Sequence, residues 1–205
     1  MIEPILPGSK TRMRILENIY YSKEINLSEL IKKSKTSPNI VLGYANKLVE
    51  FGVIREKRMG GVKKTHLRLL APKFDSENAR LLFSVVENNK KLIFFKKYTR
   101  IGKVLENLKN IKNIKFALVF GSYARFAPSE DSDLDIIIVG NLNKKDINDI
   151  RENFIALEAE PSIKVETIKK LKSNIKKPLY QNILAEHVIV AGIGNFMTFL
   201  DDMIK

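Results

Sequence analysis

Two aspartates, Asp133 and Asp135, stand two residues apart where an apolar run, residues 134–139, begins. On an extended backbone side chains two apart project to the same face, so these carboxylates share a point on a strand. Like carboxylates held that close repel, and each raises the other's proton affinity unless a cation lies between them. A hard divalent ion, Mg²⁺ or Mn²⁺, answers that arrangement, since such ions take carboxylate, water and phosphate oxygens. Ten residues and more upstream, Gly121 and Ser122 end another apolar run, residues 116–120. Glycine lets a backbone approach an anion closely, and the amides that follow can point at it. Arg125, three residues beyond Ser122, can add a charge-assisted hydrogen bond to a phosphate oxygen.

These groups need two buried strands to hold them, and both apolar runs have the length and β-branched content of strands. Taken singly, an Asp-x-Asp or a Gly-Ser pair is ordinary loop chemistry. The information lies in the order: strand, Gly-Ser turn, small residue and arginine, loop, Ser-Asp-x-Asp, strand.

The segment Gly121-Ser122-Tyr123-Ala124-Arg125 followed by Ser132-Asp133-Leu134-Asp135 resembles the signature of the DNA polymerase beta-like nucleotidyltransferases, particularly their minimal prokaryotic members. The resemblance covers about the last ninety residues. It implies a small mixed sheet with helices, a nucleoside triphosphate held at Gly121 and Ser122, and divalent metal on Asp133 and Asp135. It also implies a third catalytic carboxylate from a later strand. Glu158, Glu160 and Glu166 share parity in residues 157–167; Glu160 is the first choice and Glu166 the second, with Pro161 arguing against a regular strand there. One departure is visible: the family usually has glycine after the arginine, and this chain has Phe126, expected to reshape the turn.

The 205 residues suffice for one large or two small domains, and 44% apolar content supports a packed core. No apolar run approaches the length of a membrane helix, and the amino-terminal residues lack a secretory pattern, so the expectation is a cytoplasmic protein without membrane contact. Without cysteine, disulfides, thiolate nucleophiles and cysteine-based zinc sites are excluded. His66 and His187 are too far apart to suggest a ligand pair and read as structural.

The net charge of +13 is uneven. Residues 1–73 hold 15 Lys and Arg against 6 Asp and Glu, whereas residues 74–205 hold 21 against 17. Excess charge concentrated in the smaller part favours a polyanionic partner, most simply nucleic acid.

That part has a matching pattern. A helix capped at Thr11, a short one over residues 28–34, and a third begun by Ser37-Pro38 and ended at Gly52 precede two strand-like segments, 53–58 and 63–70, turning at Met59, Gly60 and Gly61. Three helices and a hairpin resemble the winged helix-turn-helix family, over roughly residues 9–72. The resemblance implies that the third helix enters the major groove and the hairpin touches the backbone. By position the helix would offer Asn39, Tyr44, Asn46 and Lys47 to the groove, and the hairpin Arg55, Lys57, Arg58, Lys63 and Lys64, basic residues that would supply phosphate contacts, which position without reading sequence.

The expected class is α+β: a winged helix-turn-helix domain (1–73), a helical connector (74–110) with one helix over 77–86 and another over 98–108, and a nucleotidyltransferase-like domain (111–205). Residues 92–95 form an apolar patch suited to packing between domains or to a homodimer contact. Gly192-x-Gly194 reads as a turn. The chemistry expected is transfer of a nucleoside monophosphate from an NTP to an unknown acceptor, beside a DNA-binding module. Two alternatives stand with it: a DNA-binding regulator whose second domain senses nucleotide or dimerises, and an antitoxin acting on a toxin partner or other protein acceptor.

Overall fold

A computed structural model describes residues 3–59, 67–155 and 161–204. The chain groups into two compact units, Met1–Val86 with Leu200–Lys205, and Glu87–Phe199.

In the first unit, α1 (Lys10–Tyr20) starts two residues earlier than a cap at Thr11 implies, because Ser9 caps it by accepting the Arg12 amide. A two-residue strand, β1 (Ile25–Asn26), leads into α2 (Leu27–Ser34), capped by the Asn26 side chain. Ser37 and Pro38 open α3 (Pro38–Glu50) at the residues the sequence marks. The strands β2 (Ile54–Met59) and β3 (Leu67–Pro72) pair antiparallel from Ile54 opposite Pro72 to Met59 opposite Leu67. β1 adds to the other edge of β3, with Ile25 opposite Leu70. The sheet order is therefore β1-β3-β2. Ile15, Leu16, Ile19, Leu30, Val41, Leu48 and Leu70, all fully buried, form the core beneath it.

Tyr44 departs from expectation. It is buried, not displayed on the open face of α3, and its hydroxyl donates 2.7 Å to the Ile5 carbonyl. Burial pushes its phenol far above the usual range, partly opposed by Arg12, whose guanidinium lies 5.4 Å from the ring centre. The residue pins the 3₁₀ turn Glu3–Ile5 to the helical core. Tyr44→Phe leaves that carbonyl without its donor, and we expect a loss of about 1–2 kcal/mol in denaturant unfolding.

Arg68 ties the sheet to α3. Its guanidinium donates to both Glu56 oxygens, at 3.0 and 2.6 Å, and to Asn46 Oδ1 at 2.9 Å. These bonds, Arg68 first, hold the Glu56 carboxyl below its usual range. A depressed carboxylate stabilises the fold above its unfolded pKa and loses that contribution as pH falls through the folded value. Glu56→Gln should therefore flatten the decline in melting temperature on acidification below the ordinary glutamate range, and a variant with an unchanged profile would contradict this role.

α4 (Glu77–Lys97) is one helix of 21 residues where the sequence suggests a helix ending at residue 86 and a separate apolar patch. The polar run Glu87-Asn88-Asn89-Lys90-Lys91 resembles a loop, but nothing in it breaks a helix. The division between the units falls inside it.

The second unit continues with α5 (Thr99–Glu106), β4 (Ile114–Val119), a single turn α6 (Gly121–Ala124) and β5 (Leu134–Gly140). Then follow α7 (Lys144–Phe154), β6 (Pro161–Glu166), α8 (Ile168–Asn174), α9 (Pro178–Ala185), β7 (Val188–Ala191) and α10 (Ile193–Ile204), whose residues from Leu200 on belong to the first unit. The sheet runs β6-β5-β4-β7, parallel between β5 and β6 and antiparallel elsewhere, as a mixed α+β arrangement. Pro161 begins an edge strand, where its missing amide costs no ladder bond. Alternate residues of β5, Leu134, Ile136 and Ile138, enter a core with Phe94, Leu105, Ala117, Val119 and Ile150. His187 is structural: buried, it meets the Ile183 carbonyl at 3.0 Å and Glu87 at 3.2 Å. No helix among the described residues is long and apolar enough to cross a membrane.

Candidate active site

Asp135 is the second residue of β5, and by strand alternation it faces away from the Leu134-Ile136-Ile138 core. Its backbone carbonyl accepts the Phe120 amide at 3.0 Å, which sets the tip of β4 beside it. The chain then turns at Gly121, with φ +69°, directly against the Asp135 carboxylate. A Cβ at Gly121 would lie 2.5 Å from Asp135 Oδ2. Both the left-handed backbone and the close approach require glycine here.

Asp133 lies one residue before β5 and is exposed, whereas Asp135 is half-buried. The Asp135 carboxyl is raised above the usual aspartate range, first by burial and further by the charge of Asp133, against a hydrogen bond from Ser162. The loop ahead of the pair is closed by Ser132, whose Oγ accepts the Ser129 amide at 2.9 Å. Ser162 stands opposite Asp135 in the parallel register of β5 and β6. Sequence reasoning missed it, since only that register brings it to the aspartate.

The donor set fits a hard divalent cation. Two close carboxylates, one desolvated and pushed up by the other, are the state that Mg²⁺ or Mn²⁺ relieves. Among the described residues no group of three or more acidic, histidine or cysteine side chains gathers as a metal site. Glu160 lies outside the described residues. Glu166 does not join the aspartates: it is opposite Val139, four residues along β6 from Ser162, or about 13 Å on a strand. It is buried, accepts the Tyr180 hydroxyl at 2.7 Å and meets Lys170 at 3.2 Å, which makes it a structural carboxylate.

Ser122 and Arg125 follow Gly121 in and after the single turn of α6. Arg125 is exposed and reaches Glu186 at 3.3 Å, with both side chains more than half exposed. Such a pair contributes little and can release the arginine to a stronger anion. Phe126 takes a left-handed backbone, at φ +60°, a conformation that glycine adopts with the least strain. The ring packs against Tyr98, with centroids 6.4 Å apart, and against Phe94, while Lys97 donates 2.7 Å to the Phe126 carbonyl. A left-handed non-glycine costs about 1–2 kcal/mol, which these contacts offset. Phe126→Ala keeps the strain and loses the ring, and Phe126→Gly loses both. We expect the glycine variant to unfold about 1 kcal/mol later than the alanine variant.

Residues 102–192 match the model of the polymerase beta nucleotidyltransferase family. The match begins inside α5, ends at the glycine after β7, and contains the Gly121 turn and both aspartates. The class of chemistry it supports is nucleotidyltransferase-like. No curated protein matches the chain.

Outside the nucleotidyltransferase match, Asn39 and Lys47 are exposed on α3, and Arg55, Lys57 and Arg58 on β2. Arg55 and Lys57 share one face of the strand, while Arg58 is engaged with Glu56. Lys63 and Lys64 lie outside the described residues.

Proposed function

We propose that the protein transfers a nucleoside monophosphate from an NTP to an acceptor, with its amino-terminal unit acting as a winged helix-turn-helix module that places it on DNA. The observation that carries the reading is the Asp135 carboxylate seated against Gly121, with Asp133 two residues before it. Asp133 and Asp135 would hold Mg²⁺ or Mn²⁺, which supplies charge stabilisation to the attacking and leaving oxygens when bound. Gly121 and Ser122 receive the outer phosphates, and Arg125 exchanges Glu186 for a phosphate oxygen. The acceptor oxygen bonds to the α-phosphorus, and the bond to pyrophosphate breaks. Glu160 serves as the third carboxylate and takes the acceptor proton.

The DNA reading is supported by three helices, a three-stranded sheet with a β2-β3 hairpin, and exposed Asn39, Lys47, Arg55 and Lys57. One observation favours nucleotide sensing without transfer: the residue opposite Asp135 on β6 is Ser162, not a carboxylate. Incubation with Mg²⁺ and each NTP labelled at the α-phosphate separates the two. Label incorporation and pyrophosphate release, lost in Asp133→Asn and Glu160→Gln, support transfer. Saturable NTP binding without pyrophosphate release, with DNA or protein acceptors supplied, supports sensing.

A further inference from the structure

α4 is apolar on two faces. Its inner face, with Leu82, Phe83, Val86 and Phe94, is buried. Its outer face carries a second apolar line, Leu81 at 52%, Val85 at 39% and Leu92 at 68% exposure. With exposed Glu77, Asn88 and Lys96 these form one stripe, at successive spacings of four, four, three, four and four residues. Residues three and four apart are neighbours on one side of a helix, so these six cover one face about 100° wide, the width through which a helix packs on another.

The spacing reads the same in both directions, and when it is reversed the end charges are opposite in sign and the leucines face one another. Two α4 helices laid antiparallel about a point between residues 86 and 87 bring Glu77 opposite the second copy's Lys96, Leu81 opposite Leu92, and Val85 opposite Asn88. Each layer occurs twice, so two opposite-charge pairs close the ends of a seam about 28 Å long. A parallel pair would set Glu77 against Glu77 and Lys96 against Lys96. Asn88 beside the axis is the kind of central polar residue that fixes register in helix pairs.

We propose that two copies of the chain associate through this stripe, with their α4 helices antiparallel. The surface lies on one element and is independent of the nucleotide reading. Nothing in it requires the Asp133–Asp135 site, and a failure of either reading leaves the other standing.

Sedimentation of the full-length protein across a concentration series is the first test, and it should show a reversible monomer–dimer equilibrium. Glu77→Lys and Lys96→Glu each set like charges together and should weaken association up to about tenfold, while the double swap restores it. All four exchanged side chains in the dimer are exposed in the single chain, so the fold is not at issue. Orientation is read by cross-linking, since the chain has no cysteine of its own. Leu81→Cys with Leu92→Cys should form an oxidised covalent dimer, and neither single variant should. Within one helix these positions are about 16 Å apart, beyond the reach of a disulfide. A monomer at every concentration, a dimer indifferent to the charge variants, or cross-linking by a single cysteine would each overturn the proposal.

Discussion

Gly121→Ala should remove nucleotide binding while leaving most of the fold in place. Two costs coincide at this position. An alanine at φ +69° takes on the left-handed conformation, at about 1–2 kcal/mol. Its methyl would also lie 2.5 Å from Asp135 Oδ2, so the carboxylate or the turn has to move. The same displacement that relieves the clash takes Asp135 away from Asp133 and the Gly-Ser amides away from the phosphates. Gly194→Ala is the matched control, since a Cβ there meets nothing within 4 Å and the residue lies in the first turn of α10. It should be neutral or stabilising by up to about 1 kcal/mol. We expect Gly121→Ala to unfold earlier by the strain energy and to lose NTP affinity by at least about tenfold, the equivalent of 1.4 kcal/mol or more. An alanine variant that binds normally would place the phosphates elsewhere.

The aspartate variants should separate stability from function. Asp135 keeps a raised proton affinity because burial and Asp133 both disfavour its charge. A carboxylate whose folded pKa is raised works against folding above that value, and the penalty fades as pH falls through it. At neutral pH, therefore, Asp135→Asn removes an unfavourable charge, and Asp133→Asn removes the repulsion acting on it. Both variants should be at least as stable as the parent protein near pH 7. Both should lose metal-dependent transfer by about a thousandfold or more, the rate equivalent of several kcal/mol of metal-ion stabilisation. Melting temperatures beside pyrophosphate-release rates check this directly. Loss of activity with a lower melting temperature in both variants would mean that the pair serves the fold.

The sequence marks these residues better than it marks what surrounds them. Ser37-Pro38, the apolar alternation of β5 and the Asp-x-Asp spacing are local signals, and each element starts where its local chemistry puts it. Tyr44 lies three residues after Val41 and four before Leu48, on the buried stripe of α3, so its spacing favours burial; only its hydroxyl partner, the Ile5 carbonyl 39 residues away, is beyond local reading. The length of α4 was hidden by five polar residues that suit an exposed helix face as well as a loop. Ser162 and Glu166 could be sorted only by the parallel register, which sets one opposite Asp135 and the other opposite Val139. Phe126 shows the reverse case. The sequence marks the position, but that a phenylalanine holds a left-handed backbone there depends on aromatic rings from α4 and the residues after it.

The fold of the Gly121 turn onto Asp135 thus joins the two halves of one proposed site, an anion cradle and a carboxylate pair. The measurement that tests this most directly is calorimetric titration of the full-length protein with an NTP, in Mg²⁺ and in EDTA, with Asp133→Asn beside it. Binding should be saturable in Mg²⁺ and weaken at least about tenfold when the metal is chelated, with a similar loss in the variant even with Mg²⁺ present. Binding of equal strength in all three cases, or no binding by the parent protein in Mg²⁺, would contradict it.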